Sequence, residues 1–93
     1  MSNIQINYSK SCEKFFAKNQ HIFTEDKSDI LIVKAVKKIV YNCDENIDIK
    51  RLKGTLAKQY RIRFGKIRII FLLSDGVVTV VDVQDIDFGG NVY

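Results

Sequence analysis

The sequence predicts an α+β protein of two layers, in which two helices cover one face of an antiparallel sheet in the order β-α-α-β-β-β. Two observations carry this prediction. Before residue 46, apolar residues recur at three- and four-residue spacing in one long segment, which is typical of a helix; after residue 59 they alternate with polar ones, which is typical of strands. Ninety-three residues suit a single core, so residues 1–93 are assigned to one domain.

The first half of the chain predicts one strand and two helices. Residues 4–8 alternate apolar and polar side chains, as in a half-buried strand. Ser9 or Ser11 can cap a short helix that reaches about residue 20, and Thr24 can cap a second, longer helix. The polar run at 44–46 predicts the end of that helix, and residues 47–58 are predicted to form a connection.

The second half predicts three strands joined by two turns. Strands are expected at 60–64, 66–73 and 77–83, with one turn at Gly65 and a hairpin at Ser74-Asp75-Gly76. Gly65 determines where the nearby arginines point. A two-residue loop at 64–65 or 65–66 places Arg61, Arg63 and Arg68 on one face and the apolar residues on the other. A three-residue loop would drive an unpaired charge into the core, which is costly.

The positive charge of the chain is concentrated in one segment. Eight of the fifteen basic residues lie between positions 50 and 68, with no acidic residue among them. They are Lys50, Arg51, Lys53, Lys58, Arg61, Arg63, Lys66 and Arg68. Such a concentration indicates a polyanionic partner such as nucleic acid, the alternative being a solvated strand face.

Several classes of protein are disfavoured by composition. No apolar run approaches the ~20 residues that span a bilayer, and the N-terminus does not resemble a secretory signal, so we expect a cytoplasmic protein without membrane contact. Cys12 and Cys43 are expected to be reduced thiols, with a single disulfide as the alternative. Because His21 is the only histidine, we expect no histidine-based metal site, and nothing indicates a cofactor.

Three short segments resemble the RelE/ParE superfamily of toxins from type II toxin–antitoxin systems. They are Leu52-Lys53-Gly54, then residues 60–71 with the sequence YRIRFGKIRIIF, and the closing Asn91-Val92-Tyr93. The resemblance covers residues 50–93 closely and the β-α-α-β-β-β order throughout. It implies a cognate antitoxin as partner, with a heterotetramer as one assembly. It also implies either a RelE-like mRNA interferase acting on the ribosome or a ParE-like inhibitor of DNA gyrase.

The resemblance to the nuclease branch assigns roles to individual residues. Arg61 and Arg63 match positions that contact the RNA backbone and help to activate the ribose 2′-hydroxyl. Arg68 matches the position that stabilises charge on the reacting phosphate. Tyr93 matches the tyrosine that stacks on a base or assists proton transfer. The reaction is an attack of the 2′-oxygen on the adjacent phosphorus without a metal. The basic residues Lys50, Arg51, Lys53, Lys58 and Lys66 are predicted to bind RNA.

The C-terminal segment departs from the family pattern. Where the family carries a basic residue before the last tyrosine, this chain has Asp87 and Gly89. Three explanations are open: the chain is catalytically inactive, it acts on another target such as gyrase, or the change was selected because an active toxin kills its host.

Aliphatic residues accompany the arginines on their predicted face. Ile70 and Leu72 are two and four residues after Arg68 in one predicted strand, so their side chains project from the same face as that of Arg68. Apolar residues beside a basic patch suggest a surface that another chain covers. We expect an acidic and apolar antitoxin segment there.

Overall fold

The computed structural model describes residues 3–53 and 58–89. Its elements follow one another as β1 (Ile4–Tyr8), α1 (Lys10–Lys18), α2 (Glu25–Val40), β2 (Asp48–Arg51), β3 (Gln59–Phe64), β4 (Ile67–Asp75) and β5 (Thr79–Phe88). The strands form one sheet in the order β1-β5-β4-β3-β2. The predicted α+β class is therefore confirmed, with one strand more than expected.

Both helices begin at the predicted caps. The Ser9 hydroxyl accepts a hydrogen bond from the Cys12 amide at 3.3 Å, and the Thr24 hydroxyl accepts one from the Lys27 amide at 3.2 Å. Helix α2 ends at Val40, earlier than the polar run at 44–46 suggested. Asn42 has a φ of 55°, and a left-handed residue just beyond a helix terminates it.

The additional strand lies inside the predicted connection. Strand β2 pairs antiparallel with β3, so that Ile49 lies opposite Ile62. With four residues and a single apolar position facing the helices, β2 shows too little alternation to be recognised in the sequence.

The sheet is mixed, where an antiparallel one was expected. Strand β1 runs parallel to β5, with Ile6 opposite Val81, while the other neighbouring strands are antiparallel. The two helices carry the chain from β1 across one face to β2 at the far edge. The three antiparallel steps that follow bring β5 back beside β1 in the same direction.

Strand β5 continues to Phe88, five residues beyond its predicted end. A bulge interrupts its pairing with β4, since Ile70 lies opposite Asp85 whereas Phe71 lies opposite Val83. An extra residue in one strand shifts the alternation of side chains. This shift hides the strand's second half, where Ile86 is again buried.

One hydrophobic core fills the space between the sheet and the helices. Ile62, Ile69 and Phe71 of the sheet and Ile32 and Val36 of α2 are fully buried in it. The sheet therefore has one face against the helices, and we call the opposite side the open face. In the described part of the chain, no helix is long and apolar enough to cross a membrane.

Candidate functional site

The three arginines of β3 and β4 lie together on the open face. Arg63 is directly opposite Arg68, and Arg61 is opposite Ile70 two pairs further along the ladder, beyond the inward-facing pair of Ile62 and Ile69. The neighbouring residues Ile62 on β3 and Ile67 and Ile69 on β4 are buried against the helices. The predicted placement of the guanidinium groups on one face is confirmed, whereas their chemical roles remain predictions.

The turn at Gly65 fixes this arrangement. Phe64 pairs with Ile67, so the loop consists of Gly65 and Lys66. Gly65 has a φ of 60°, and among the described residues outside glycine only Asn42 has a positive φ. A positive φ at the first loop residue alone fits a type II′ hairpin turn, where glycine is preferred. A two-residue loop keeps Arg63 and Arg68 in register on the same side.

Arg68 is held by a carboxylate from the neighbouring strand. Its Nε and Nη2 atoms lie 3.3 and 3.1 Å from the two oxygens of Asp87, which is directly opposite it on β5. The two side chains are 42% and 40% exposed. Where the family pattern suggests a basic group, this chain thus has a bidentate ion pair across two strands.

Arg61 also has an acidic neighbour within the chain. Its Nη2 atom lies 3.5 Å from Asp48 on β2. The Arg61 side chain is only 17% exposed, and its Nε is buried without a hydrogen-bond partner in the described part of the chain. Arg61 is consequently the least accessible of the three guanidinium groups.

Arg63 differs from Arg61 and Arg68 in its exposure and in its lack of an ion pair with another described residue. It is exposed, and neither ion pair formed by described residues involves it. Lys50 lies opposite Arg61, two pairs along the β2–β3 ladder from Arg63. Acidic residues of the open face are Asp82, Asp85 and Asp87 on β5, and Asp48 on β2, which lies directly opposite Arg63. The face is therefore acidic at β5, whereas at β2 and β3 the basic side chains of Lys50, Arg61 and Arg63 surround a single carboxylate, that of Asp48.

The remaining predicted RNA-binding residues are dispersed. Arg51 lies opposite Tyr60, in the set of positions that faces the helices. Lys53 follows β2, Lys58 precedes β3 and Lys66 lies in the Gly65 turn; all are exposed. Lys58 and Lys66 flank opposite ends of β3, about 20 Å apart for a strand of this length. Tyr93 lies outside the described residues.

Sequence reasoning missed Asp48 and the role of Asp87. Asp48 fell in the stretch predicted to be a connection, and the register of β5 with Arg68 depends on a bulge. The run of basic residues between 50 and 68 contains no acid, but its neighbours in space come from outside that run. Spatial pairing therefore neutralises part of a segment that is uniformly positive in sequence.

Two buried groups with shifted pKa values lie on the helix side. Burial raises the pKa of the Tyr8 hydroxyl, which donates a hydrogen bond to Asp29 at 2.6 Å and lies 2.9 Å from the Ser28 hydroxyl. Burial likewise raises the pKa of the Cys12 thiol. Both shifts favour the uncharged form. Tyr8 connects β1 to α2 and Cys12 connects α1 to β5, and both lie on the side of the sheet that faces the helices. Cys12 and Cys43 are both free thiols.

Gly89 lies against the side chain of Arg68. A Cβ atom at position 89 would be 2.8 Å from Nε of Arg68 and 3.0 Å from its Cβ and Cζ. Because the Cβ of Arg68 is fixed by the strand, the crowding cannot be relieved by moving only the guanidinium. An arginine at position 89, as the family pattern suggests, would thus require Arg68 to change its position.

We expect Gly89→Ala to loosen the Arg68–Asp87 ion pair. The new methyl group would push the Arg68 side chain away from its present rotamer, and the Nε–H signal of Arg68 in ¹H–¹⁵N NMR spectra should shift. Gly76→Ala is the matched control, because a Cβ there would meet only the Val78 carbonyl at 3.9 Å, an ordinary contact. An unchanged Arg68 signal in Gly89→Ala would show that the contact is not restrictive.

Comparisons with known proteins support the fold. No protein-family model and no curated protein matches the sequence. The structure is similar to a chain of the archaeal RelE-RelB complex from Pyrococcus horikoshii OT3, with a TM-score of 0.62, 20% identity, and coverage of 98% of this chain and 99% of that one. A chain of the RelB-RelE antitoxin-toxin complex from Methanococcus jannaschii is matched with a TM-score of 0.47 and 19% identity, over 88% of each chain. At 20% identity, the first likeness establishes a shared fold.

Within the described ranges 3–53 and 58–89, no three His, Cys, Asp or Glu side chains are grouped so that they could hold a metal ion.

Proposed function

We propose that this chain is the toxin subunit of a type II toxin–antitoxin pair and that its open face binds messenger RNA on the ribosome. The observation that carries the proposal is the juxtaposition of Arg61, Arg63 and Arg68 on the open face, in two pairs of the β3–β4 ladder that are separated by one inward-facing pair. The fold shared with a chain of the Pyrococcus horikoshii RelE-RelB complex supports it. The proposed activity is that of a RelE-like endoribonuclease.

The proposed reaction is an in-line displacement at phosphorus. The ribose 2′-oxygen loses its proton and bonds to the adjacent phosphorus, while the bond to the 5′-oxygen breaks and that oxygen gains a proton. The transition state carries more negative charge than the ground state, so planar and permanently charged guanidinium groups stabilise it selectively. Arginine is a poor base at its usual pKa. The arginines are therefore assigned to binding and charge stabilisation, and no described residue is assigned to proton removal.

Within this proposal the three arginines have different roles in binding RNA and stabilising charge. Arg63, exposed and outside both ion pairs of the described residues, is the first contact for an RNA phosphate. Arg68, directly opposite, would stabilise the reacting phosphate. Arg61 is mostly buried and contributes through its remaining exposed edge and its charge. Lys50, opposite Arg61, extends the basic surface toward the sheet edge.

The proposed antitoxin occupies the same open face. Ile70 and Leu72 of β4 are half-buried there, with Ile70 opposite Arg61 and Leu72 opposite Gln59. A partner segment with acidic and apolar side chains would complement both features. The antitoxin would then inhibit the toxin by covering Arg63 and Arg68.

A second candidate function is a toxin or binding module without nuclease activity, such as a ParE-like gyrase inhibitor or an inactive antitoxin-binding protein. The ion pairs Arg61–Asp48 and Arg68–Asp87 favour it. They neutralise two of the three guanidinium groups that would otherwise act on phosphate. Asp87 also stands where a basic group is expected from the resemblance.

A primer-extension assay distinguishes the two candidates. The purified chain, added to ribosomes translating a defined messenger RNA, should cut the message at discrete positions, and omitting the ribosomes should abolish the cuts. A DNA supercoiling assay with gyrase provides the comparison. An uncut message together with inhibited supercoiling would reject the nuclease in favour of the gyrase inhibitor. Inactivity in both assays would leave the antitoxin-binding module.

A further inference from the structure

The contact between Asp87 and Arg68 points to a regulatory property of the arginine site. We infer that Asp87 is an internal competitor of the RNA phosphate: it occupies the guanidinium edge of Arg68 that a phosphate would bind. The inference rests on the proposed binding of RNA at the open face. It concerns how strongly that face binds a phosphate, not whether RNA is the target.

The geometry of the pair supports competition. Asp87 engages Nε and Nη2 of Arg68 with both carboxylate oxygens, at 3.3 and 3.1 Å. Carboxylates and phosphates bind guanidinium groups through the same pairs of parallel hydrogen bonds. A phosphate approaching this edge must therefore displace the carboxylate, and it gains only the difference between the two interactions.

The strands hold the competitor in place. Asp87 and Arg68 are directly opposite in the β4–β5 ladder, so the carboxylate is positioned by backbone pairing and not by a mobile loop. Gly89 packs against the Arg68 side chain, at distances that leave no room for a Cβ atom. The arginine is thus confined between a carboxylate and the backbone that follows it.

The chain contains a matched acidic residue that lacks this contact. Asp85 lies two positions earlier on the same strand, opposite Ile70, and it is exposed. Neither ion pair formed by described residues includes it. Removing the charge of Asp85 changes the net charge by the same amount as removing that of Asp87, on the same strand and face, but it leaves the contact between Asp87 and Arg68 in place.

The test measures the affinity of Arg68 for inorganic phosphate in Asp87→Asn and Asp85→Asn. Phosphate is titrated into each full-length variant, and the Nε–H signal of Arg68 is followed by NMR at low ionic strength. We expect Asp87→Asn to bind phosphate about two- to fivefold more tightly than Asp85→Asn, the factor an exposed ion pair commonly contributes. Asp87→Glu, which keeps the carboxylate, should remain close to the wild type.

Equal affinities of the two asparagine variants would overturn the inference, because the effect would then be one of net charge alone. An Asp87→Glu protein that bound phosphate as tightly as Asp87→Asn would overturn it as well. Thermal unfolding of each variant establishes that the fold is retained. Failure of the proposed function is recognised in a different assay. If the protein is not a nuclease, both the wild type and Asp87→Asn leave the message uncut in the ribosomal assay, whatever the phosphate titration shows.

Discussion

Replacing Ile69 with alanine is expected to lower the free energy of unfolding by about 2–5 kcal/mol. Ile69 is fully buried on β4, opposite Ile62 on one side and Ile86 on the other, both of them core residues. Truncation would remove buried methyl groups and leave a cavity between the sheet and α2. Domains of this size are stable by about 5–15 kcal/mol, so the variant should lose a large share of its stability.

The neighbouring residue provides a matched control. Ile70→Ala makes the same chemical change one position further along the strand, but Ile70 lies on the open face and is only half-buried. We expect a loss of about 1 kcal/mol there, measured by urea unfolding of both variants. Because a shift of one residue exchanges the two faces of a strand, a larger loss for Ile70→Ala would contradict the register itself.

The placement of the arginines could be predicted because it depends on local rules. A two-residue turn at Gly65 and the alternation of side chains are sufficient to put Arg63 and Arg68 on the same face. The helix caps at Ser9 and Thr24 were predictable for the same reason, since each acts on an amide only three residues away.

The ion pairs could not be predicted because their partners are distant in sequence. Asp48 lies 13 residues from Arg61, and Asp87 lies 19 residues from Arg68. The first contact requires a short strand that the alternation of β2 does not reveal, and the second requires the register imposed by a bulge. The uniform charge of residues 50–68 thus overstates the positive potential of the folded surface.

The distribution of charge also changes how the open face should recognise RNA. A uniformly basic face would bind a nucleic acid anywhere along its width. Here the carboxylates of β5 border the arginines on one side and Asp48 of β2 lies on the other, so the attractive region narrows to Lys50 and the exposed Arg63. Binding of RNA to this protein should therefore depend strongly on that one residue.

Arg63→Glu is accordingly expected to weaken RNA binding at least tenfold. The substitution removes a phosphate contact and places a carboxylate directly opposite Arg68, where it competes for the second guanidinium. Hydrogen bonds to charged groups contribute about 1.5–3 kcal/mol, which corresponds to a factor of ten or more in affinity. Binding of a single-stranded RNA oligonucleotide, measured by fluorescence anisotropy at several salt concentrations, should also show a salt dependence smaller by about one phosphate contact.

Lys14→Glu separates this local effect from the change in net charge. Lys14 is exposed on α1, in the helical layer across the core from the open face, and the substitution alters the formal charge by the same amount. Its affinity for RNA should fall by less than about threefold, because at physiological salt the charge interactions are screened over ~8 Å. Equal losses in the two variants would mean that RNA responds only to the overall charge of the protein. The alignment of three guanidinium groups by the Gly65 turn would then have no part in binding.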